Sequence, residues 1–188
     1  PGGPRFKTET EMDVGIDGKI VFNDSMVLDI TLNPDFSQVE SDQPQVTVNE
    51  RFEVQFPERR PFFVENADFF ATDSILLFTR RIVDPEGGIR FTGRSGDYGF
   101  GTILINDEAP GLNRDSGDPL RGKKANIGIL RGFRDISEQS RIGFLLTDRE
   151  LGEGYNRVAS VDARLKLNNN WITNMQLVGT DSEPLIGG

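Results

Sequence analysis

The residue types that carry most enzyme chemistry are missing from this sequence. Its 188 residues include no histidine and no cysteine, which removes the commonest general base, the thiol nucleophile and almost every zinc site. Thirty Asp and Glu residues could supply the carboxylate pair of a glycoside hydrolase, but no pair at a strand end stands out. We therefore predict no catalytic site, no metal site and no cofactor. A glycosidase or glycosidase-associated domain is kept as the weakest alternative.

Arginines and nearby acids form the candidate binding set. The stretch "FPERRPFFVENADFF" (Phe56–Phe70) combines paired phenylalanines with arginines and carboxylates. Arg80 and Arg81 are adjacent, so on a strand they would face opposite sides and only one could line a lumen. That arginine and its neighbours could form a cationic constriction that selects anionic solutes, although pairing with the acids of the stretch is the preferred interpretation. The predicted binding residues are Arg59, Arg60, Glu65, Asp68, Arg80, Arg81, Arg90 and Arg94.

Other chemically suggestive residues have plainer interpretations. The segment Asn106–Asp118 is rich in oxygen ligands, but its spacing does not match an EF-hand loop, so a solvated surface loop is preferred to a calcium site. Trp171 and Tyr155 lie near predicted strand ends. They could stack on a sugar, lie at a membrane interface or be ordinary core residues.

Alternation of polar and apolar residues predicts the strands that must position these groups. In "EMDVGIDGKIVF", from Glu11 to Phe22, the apolar residues recur at every second position, which is the strand period. The same pattern returns repeatedly along the chain, and we expect no helix. The nine predicted strands are 11–22, 26–33, 74–83, 87–95, 97–107, 125–135, 140–150, 155–167 and 170–180.

These elements predict one all-β domain with an antiparallel up-and-down meander. The first hairpin covers 10–33, an irregular insert covers 34–73, and the meander strands cover 74–180. A short strand at Val46–Phe56 is conceivable within the insert. An irregular insert of this length is unusual inside a compact sheet and is often functional.

The strand pattern favours a transmembrane β-barrel over a soluble fold. The predicted strands have roughly the 9–11 residues that a membrane-spanning strand needs, their polar faces carry mid-strand charges, and short turns alternate with longer loops. A soluble β-sandwich or open-barrel glycan-binding module is the alternative. The net charge of -9 disfavours nucleic acid as a partner.

A long motif carries a resemblance to a known family. The stretch "LDITLNPDFSQVESDQPQVTVNERFEVQFPERRPFFVENADFF", followed by "LFTRRI" and later by "FTGRSGDYGFG" and "SRIGFLLTDRE", closely resembles a bacterial family of unknown function. Members of that family usually carry a carbohydrate-binding module of the family-9 type before a predicted outer-membrane β-barrel.

The resemblance implies a place and a role for the chain. It implies a segment of a barrel in the bacterial outer membrane, with further strands elsewhere, and a non-catalytic role in passing or binding solutes. The implied partners are the lipid bilayer and a carbohydrate or other small solute. Irregular backbone at membrane depth must be buried in protein or line water. We therefore expect the insert to fold into the lumen or cap its periplasmic mouth, with Phe62–Phe63 and Phe69–Phe70 forming a small core.

Overall fold

The computed structural model describes residues 14–34, 58–112 and 114–184. They form one eight-stranded sheet in which the strand order follows the chain and every neighbouring pair is antiparallel. The predicted all-β meander is confirmed. The sheet is open, with β1 and β8 as its edges, and is not closed into a barrel. The strands are β1 (Ile16–Phe22), β2 (Met26–Leu32), β3 (Pro85–Ser95), β4 (Tyr98–Asp107), β5 (Ala125–Ser137), β6 (Ser140–Leu151), β7 (Gly154–Lys166) and β8 (Ile172–Glu183).

Short turns fix the register of most neighbouring strands. Two-residue loops join β3 to β4, β5 to β6 and β6 to β7. Gly96 and Gly152 have φ values of 57° and 61° in two of these loops, a conformation that tight hairpin turns require and glycine adopts without strain. Asn23 and Asp24 adopt positive φ in the β1–β2 turn, as Asn and Asp tolerate. Local sequence therefore determines where the chain reverses.

The predicted strand at 74–83 is wrong. Residues 79–81 form a 3-10 turn, and the segment before it crosses one face of the sheet without joining the ladder. The backbone carbonyls of Thr79 and Ile82 accept hydrogen bonds from the Arg60 guanidinium. Eight of the nine predicted strands are therefore present in the described ranges. The conceivable strand at Val46–Phe56 lies outside the described residues.

The prediction that the chain contains no helix is also wrong. One-turn helices occur at Pro61–Val64 (α1) and Ala109–Leu112 (α2), and 3-10 turns at Ala67–Phe70 and Thr79–Arg81. Proline at the first position favours α1 because its fixed φ suits a helix start. Each helix is too short to show a 3.6-residue period in the sequence. In the described part of the chain, no helix is both long and apolar enough to cross a membrane.

One face of the sheet is covered by its own insert. Residues 58–82, here called the covering segment, pack on what we call the inner face. Phe62, Phe63, Phe70 and Ile82 of this segment form one buried cluster with strand residues of the same face. Those strand residues are Ile103 and Ile105 on β4, Ile129 on β5 and Leu145 on β6.

Glycine lets the covering segment approach the sheet closely. A Cβ atom at Gly101 on β4 would lie 2.8 Å from Cζ of Phe70, closer than real side chains pack. The phenylalanine ring therefore rests on bare backbone. The expectation that paired phenylalanines supply a small core agrees with this packing, since Phe69 also packs against the cluster.

Candidate functional site

The inner face is built around a buried arginine. Arg90 on β3 lies directly opposite Asp29 on β2, and its side chain is 1% exposed. Its Nε and Nη2 atoms donate to Asp29 Oδ2 at 3.0 and 2.7 Å. Its Nη1 atom donates to the backbone carbonyls of Phe62 and Glu65 in the covering segment. One guanidinium therefore connects the hairpin β1–β2, the strand β3 and the covering segment.

Lys19 extends this network to β1. Its ammonium group lies 3.6 Å from an oxygen of Asp29 and pairs with Glu65. The Glu65 carboxylate also lies 3.5 Å from Arg90. These groups share the inner face because Lys19, Asp29 and Arg90 occupy aligned positions on three consecutive strands. The charged face of the first hairpin thus anchors the covering segment.

A second arginine holds the covering segment together internally. Arg60 is 3% exposed, and its Nη2 lies 2.7 Å from Glu58 Oε2. The Glu58 carboxylate also accepts a hydrogen bond of 2.7 Å from the Thr79 hydroxyl. Arg60 stacks over the ring of Phe63 at 4.3 Å, within the range of cation–π attraction. Arg60 therefore connects the start of the covering segment to its end at Ile82.

The carboxylate of Glu58 has a strongly displaced pKa. Burial alone would raise its pKa, but hydrogen bonds from Arg60 and Thr79 outweigh burial and lower the pKa to about 2. A depressed carboxyl pKa stabilises the folded state above the ordinary value near 4.5, and this stabilisation is lost as the pH falls through 2.

We expect Glu58→Gln to remove a pH-dependent part of the stability. The free energy of unfolding of the wild type should exceed that of the variant by up to about 3 kcal/mol at pH 7, and this difference should shrink steadily between about pH 5 and 2. Urea titrations at four pH values measure it. Glu153→Gln, in the exposed β6–β7 turn, is the control. A difference that stays constant with pH would contradict this assignment.

Further ion pairs line the other strands of the inner face. Arg131 on β5 is 1% exposed and forms a forked pair with Asp162 on β7. Gly143 lies between them on β6, where a Cβ would approach Arg131 Nη1 to 2.7 Å, so glycine makes the pair sterically feasible. Arg94 and Arg141 both pair with Asp135 near the tight turns. The predicted binding set omits Asp29, Arg131 and Asp162, whose only signal in the sequence is charge in mid-strand.

The predicted binding residues divide into three groups. Arg60, Glu65 and Arg90 lie in the contacts between the covering segment and the sheet, as described above. Arg94 pairs with Asp135 on an exposed part of the face. The remaining four are exposed parts of the covering segment and form no common site with Arg90: Arg59, Asp68, Arg80 and Arg81. The expectation that Arg80 and Arg81 face opposite sides of a strand is wrong, because both lie in a 3-10 turn.

The opposite face of the sheet, here called the outer face, is an apolar band. It presents one or more large apolar side chains from every strand, each 40–72% exposed. The band includes Ile20, Leu32, Ile89, Leu104, Leu130, Phe144, Val161 and Leu177. Soluble monomers rarely expose a contiguous apolar surface of this extent.

A polar row closes the apolar band at one end. On β6 and β7, Arg157 pairs with Asp148 and Glu150 at 3.1 Å each. On β4 and β5, Asn106 donates to Asn126 at 2.6 Å. All these side chains lie on the outer face, at the end of the sheet from which the connections 33–84 and 108–124 leave. The outer face is therefore zoned along the strands, from apolar to charged.

No metal centre is indicated in the residues that the structure describes. Among them, no group of three or more acidic side chains is arranged to hold a metal ion. In the oxygen-rich loop, Asp118 pairs with Arg114 at 2.9 Å and accepts from the backbone N–H of Leu120 at 2.8 Å. Its carboxylate thus serves the loop's own conformation.

Comparison with known proteins gives one family match. A family model described as a domain of unknown function (DUF5916) matches residues 4–91, a little under half of the chain. The matched span contains β1, β2, the covering segment and the start of β3, and so the hairpin and insert that the Arg90 network joins. Searches of curated proteins and of solved structures find no match.

Proposed function

We propose that this chain is a membrane-embedded segment of a bacterial outer-membrane β-barrel that takes part in the non-catalytic passage or binding of solutes. The observation that carries the proposal is the distribution of apolar and ionic side chains between the two faces of the sheet. Every strand presents exposed apolar side chains on the outer face, whereas the buried ion pairs lie on the inner face, beside the apolar cluster that the covering segment buries. A membrane barrel has this polarity, with lipid outside and polar groups inside, and a soluble sandwich has the reverse.

The irregular covering segment supports the same proposal. Its backbone forms only single turns, and such backbone is tolerated at membrane depth only where protein buries it or water surrounds it. Phe62, Phe63 and Phe70 are buried against the inner face, which would place the segment inside the barrel. Six of the eight strands have 10–13 residues, enough to span the hydrocarbon region.

Aromatic residues at both strand ends add to the argument. Tyr98 and Trp171 are 56% and 67% exposed near the tight turns, and Tyr155 lies at the opposite end, beside the polar row. Membrane proteins concentrate Trp and Tyr at both interfaces, where the ring is in the headgroup region. Carbohydrate is the proposed solute class on the family resemblance alone.

We expect Leu104→Arg to impair membrane insertion. Leu104 lies in the apolar band on a central strand, and arginine facing lipid near the bilayer midplane costs about 2–4 kcal/mol. The full-length protein is refolded with phospholipid liposomes, and the floating fraction is measured after density centrifugation. Leu112→Arg is the matched control, because Leu112 is 52% exposed against 56% for Leu104 but lies in α2, after the end of β4.

Two outcomes would contradict the proposed function. The first is equal flotation of the two variants. The second is recovery of the wild-type protein as a monodisperse soluble species in detergent-free buffer. That second result would favour the soluble alternative, a β-sandwich or open-barrel glycan-binding module with its outer face covered by another layer of protein.

A further inference from the structure

A cavity lies between the covering segment and the inner faces of β5–β8. Its volume is about 560 Å³, within the range of small-molecule sites. One wall is apolar and consists mainly of Leu76, Leu77 and Phe78 from the covering segment and Ile127 from β5. The cavity is separate from the Arg90 network, which lies at β2 and β3.

The opposite wall carries a row of polar side chains. Arg149 on β6 lies directly opposite Asn156 on β7, and Asn156 lies opposite Ser182 on β8. All three border the cavity. Because directly opposed residues of antiparallel strands share a face, the three side chains form one row across the inner face.

Arg149 is the distinctive member of this row. Its Nε atom is buried and has no hydrogen-bond partner among the described residues. Arg131 has an unpartnered buried Nε as well, but its Nη atoms pair with Asp162, as Arg90 pairs with Asp29. Arg149 forms no ion pair among the described residues. A guanidinium that lacks a carboxylate partner forms strong charge-assisted hydrogen bonds with an incoming carboxylate, so Arg149 is the residue of this row that can bind an anion.

A second arginine borders the same cavity from above. Arg81 lies in the 3-10 turn of the covering segment, with its guanidinium carbon 5.9 Å from the Phe78 ring centre. Two carboxylates, Asp148 and Glu183, also border the cavity. Asp148 borders the cavity but pairs with Arg157 on the outer face, and Glu183 lies opposite Tyr155, one position out of phase with the Arg149 row.

We propose that this cavity, here called the anion cavity, binds a small carboxylate-bearing, hydroxylated solute such as a hexuronic acid. The guanidinium of Arg149, with Arg81, would hold the carboxylate through charge-assisted hydrogen bonds. Asn156 and Ser182 would bond the hydroxyl groups, and Leu76, Leu77 and Phe78 would pack against the apolar face of the ring. This inference rests on the solute-binding part of the proposed function and names the class of solute.

The test uses the full-length protein in detergent and isothermal titration with glucuronate and, in parallel, with glucose. We expect measurable binding of glucuronate and at least tenfold weaker binding of glucose. Arg149→Gln should weaken glucuronate binding by about 10- to 100-fold, the range for losing a charged hydrogen bond. Arg149→Lys keeps the charge but loses the forked donor geometry of arginine. Its affinity for glucuronate should lie between that of Arg149→Gln and that of the wild type.

The control is Arg164→Gln, at an exposed arginine of the inner face that does not border the cavity. Its glucuronate affinity should equal that of the wild type, and circular dichroism checks that each variant is folded. Equal binding of glucose and glucuronate, no binding of either, or wild-type affinity in folded Arg149→Gln would overturn the inference. Liposome flotation of the same preparation is scored separately, so a failure of the membrane proposal is distinguishable from a failure of the anion cavity.

Discussion

Replacing Arg90 with methionine should release the covering segment and lower the free energy of unfolding by about 3–5 kcal/mol. The substitution keeps most of the side-chain volume but leaves the Asp29 carboxylate, in a position 6% exposed, without its main partner. It also leaves the carbonyls of Phe62 and Glu65 without the donor that the structure gives them. Urea unfolding of the wild type and the variant in the same detergent measures the loss of unfolding free energy. Limited proteolysis of the variant should show new cleavage within 58–82.

Arg94→Gln is the matched control for this substitution. Arg94 lies on the same strand and face, but its side chain is 44% exposed and its pair with Asp135 is solvated. Exposed pairs contribute about 0–1 kcal/mol, so this variant should resemble the wild type. Combining Arg90→Met with Asp29→Leu should recover part of the stability, because no buried charge is then left alone. Equal losses for Arg90→Met and Arg94→Gln would refute the anchoring role of Arg90.

Truncating Phe63 to alanine should cost about 3–5 kcal/mol. Phe63 is 5% exposed in the cluster that joins the covering segment to the sheet. The substitution leaves a cavity there and removes two ring contacts, the edge-on contact with Phe62 at 5.2 Å and the stack under Arg60 at 4.3 Å. The loss is measured as a shift of the urea midpoint at constant slope.

The neighbouring residue supplies the control for the phenylalanine. Val64 belongs to the same helical turn but is 46% exposed, so Val64→Ala should change stability by less than about 0.5 kcal/mol. If Phe63→Ala were as mild as Val64→Ala, the covering segment would not depend on this cluster. A loss confined to local protease sensitivity, with an unchanged urea midpoint, would also count against the prediction.

The two faces of the sheet could be predicted from the sequence in the strands whose apolar and polar residues alternate cleanly. Alternation in 26–33, 87–95 and 155–167 placed the apolar and polar positions on the faces where the structure has them, because strand side chains alternate at every residue regardless of the rest of the fold. Turn residues such as Gly96 and Gly152 likewise marked the reversals through their own backbone preferences.

The segment 74–83 shows where such reasoning fails. Its apolar residues fit a buried strand, yet Ile82 is buried against β4–β6 from above, with residues 79–81 coiled into a turn. A short apolar run satisfies either arrangement. What excludes the strand is the bonding of the Thr79 and Ile82 carbonyls to Arg60, a partner about twenty residues away.

The candidate site was predicted as a set of residue types and not as a set of contacts. Arg60, Glu65 and Arg90 were identified, but their principal partners include Asp29, which is 61 residues from Arg90. Arg149 gave no signal of its own, because its sequence neighbours Asp148 and Glu150 suggest an ordinary solvated charge run. Strand alternation sends both of those acids to the outer face, where they pair with Arg157.

The sequence by itself determined eight strands, the turns between most of them and the faces of the cleanly alternating strands, since these follow from interactions within a few residues. Only the tertiary structure decided which charges are neutralised, how residues 58–82 cover the inner face, and that Arg149 borders a cavity. These properties depend on strand register and on the packing of distant segments. The physical reason is that burial converts an ordinary surface charge into a costly one, and burial is a property of the assembled fold.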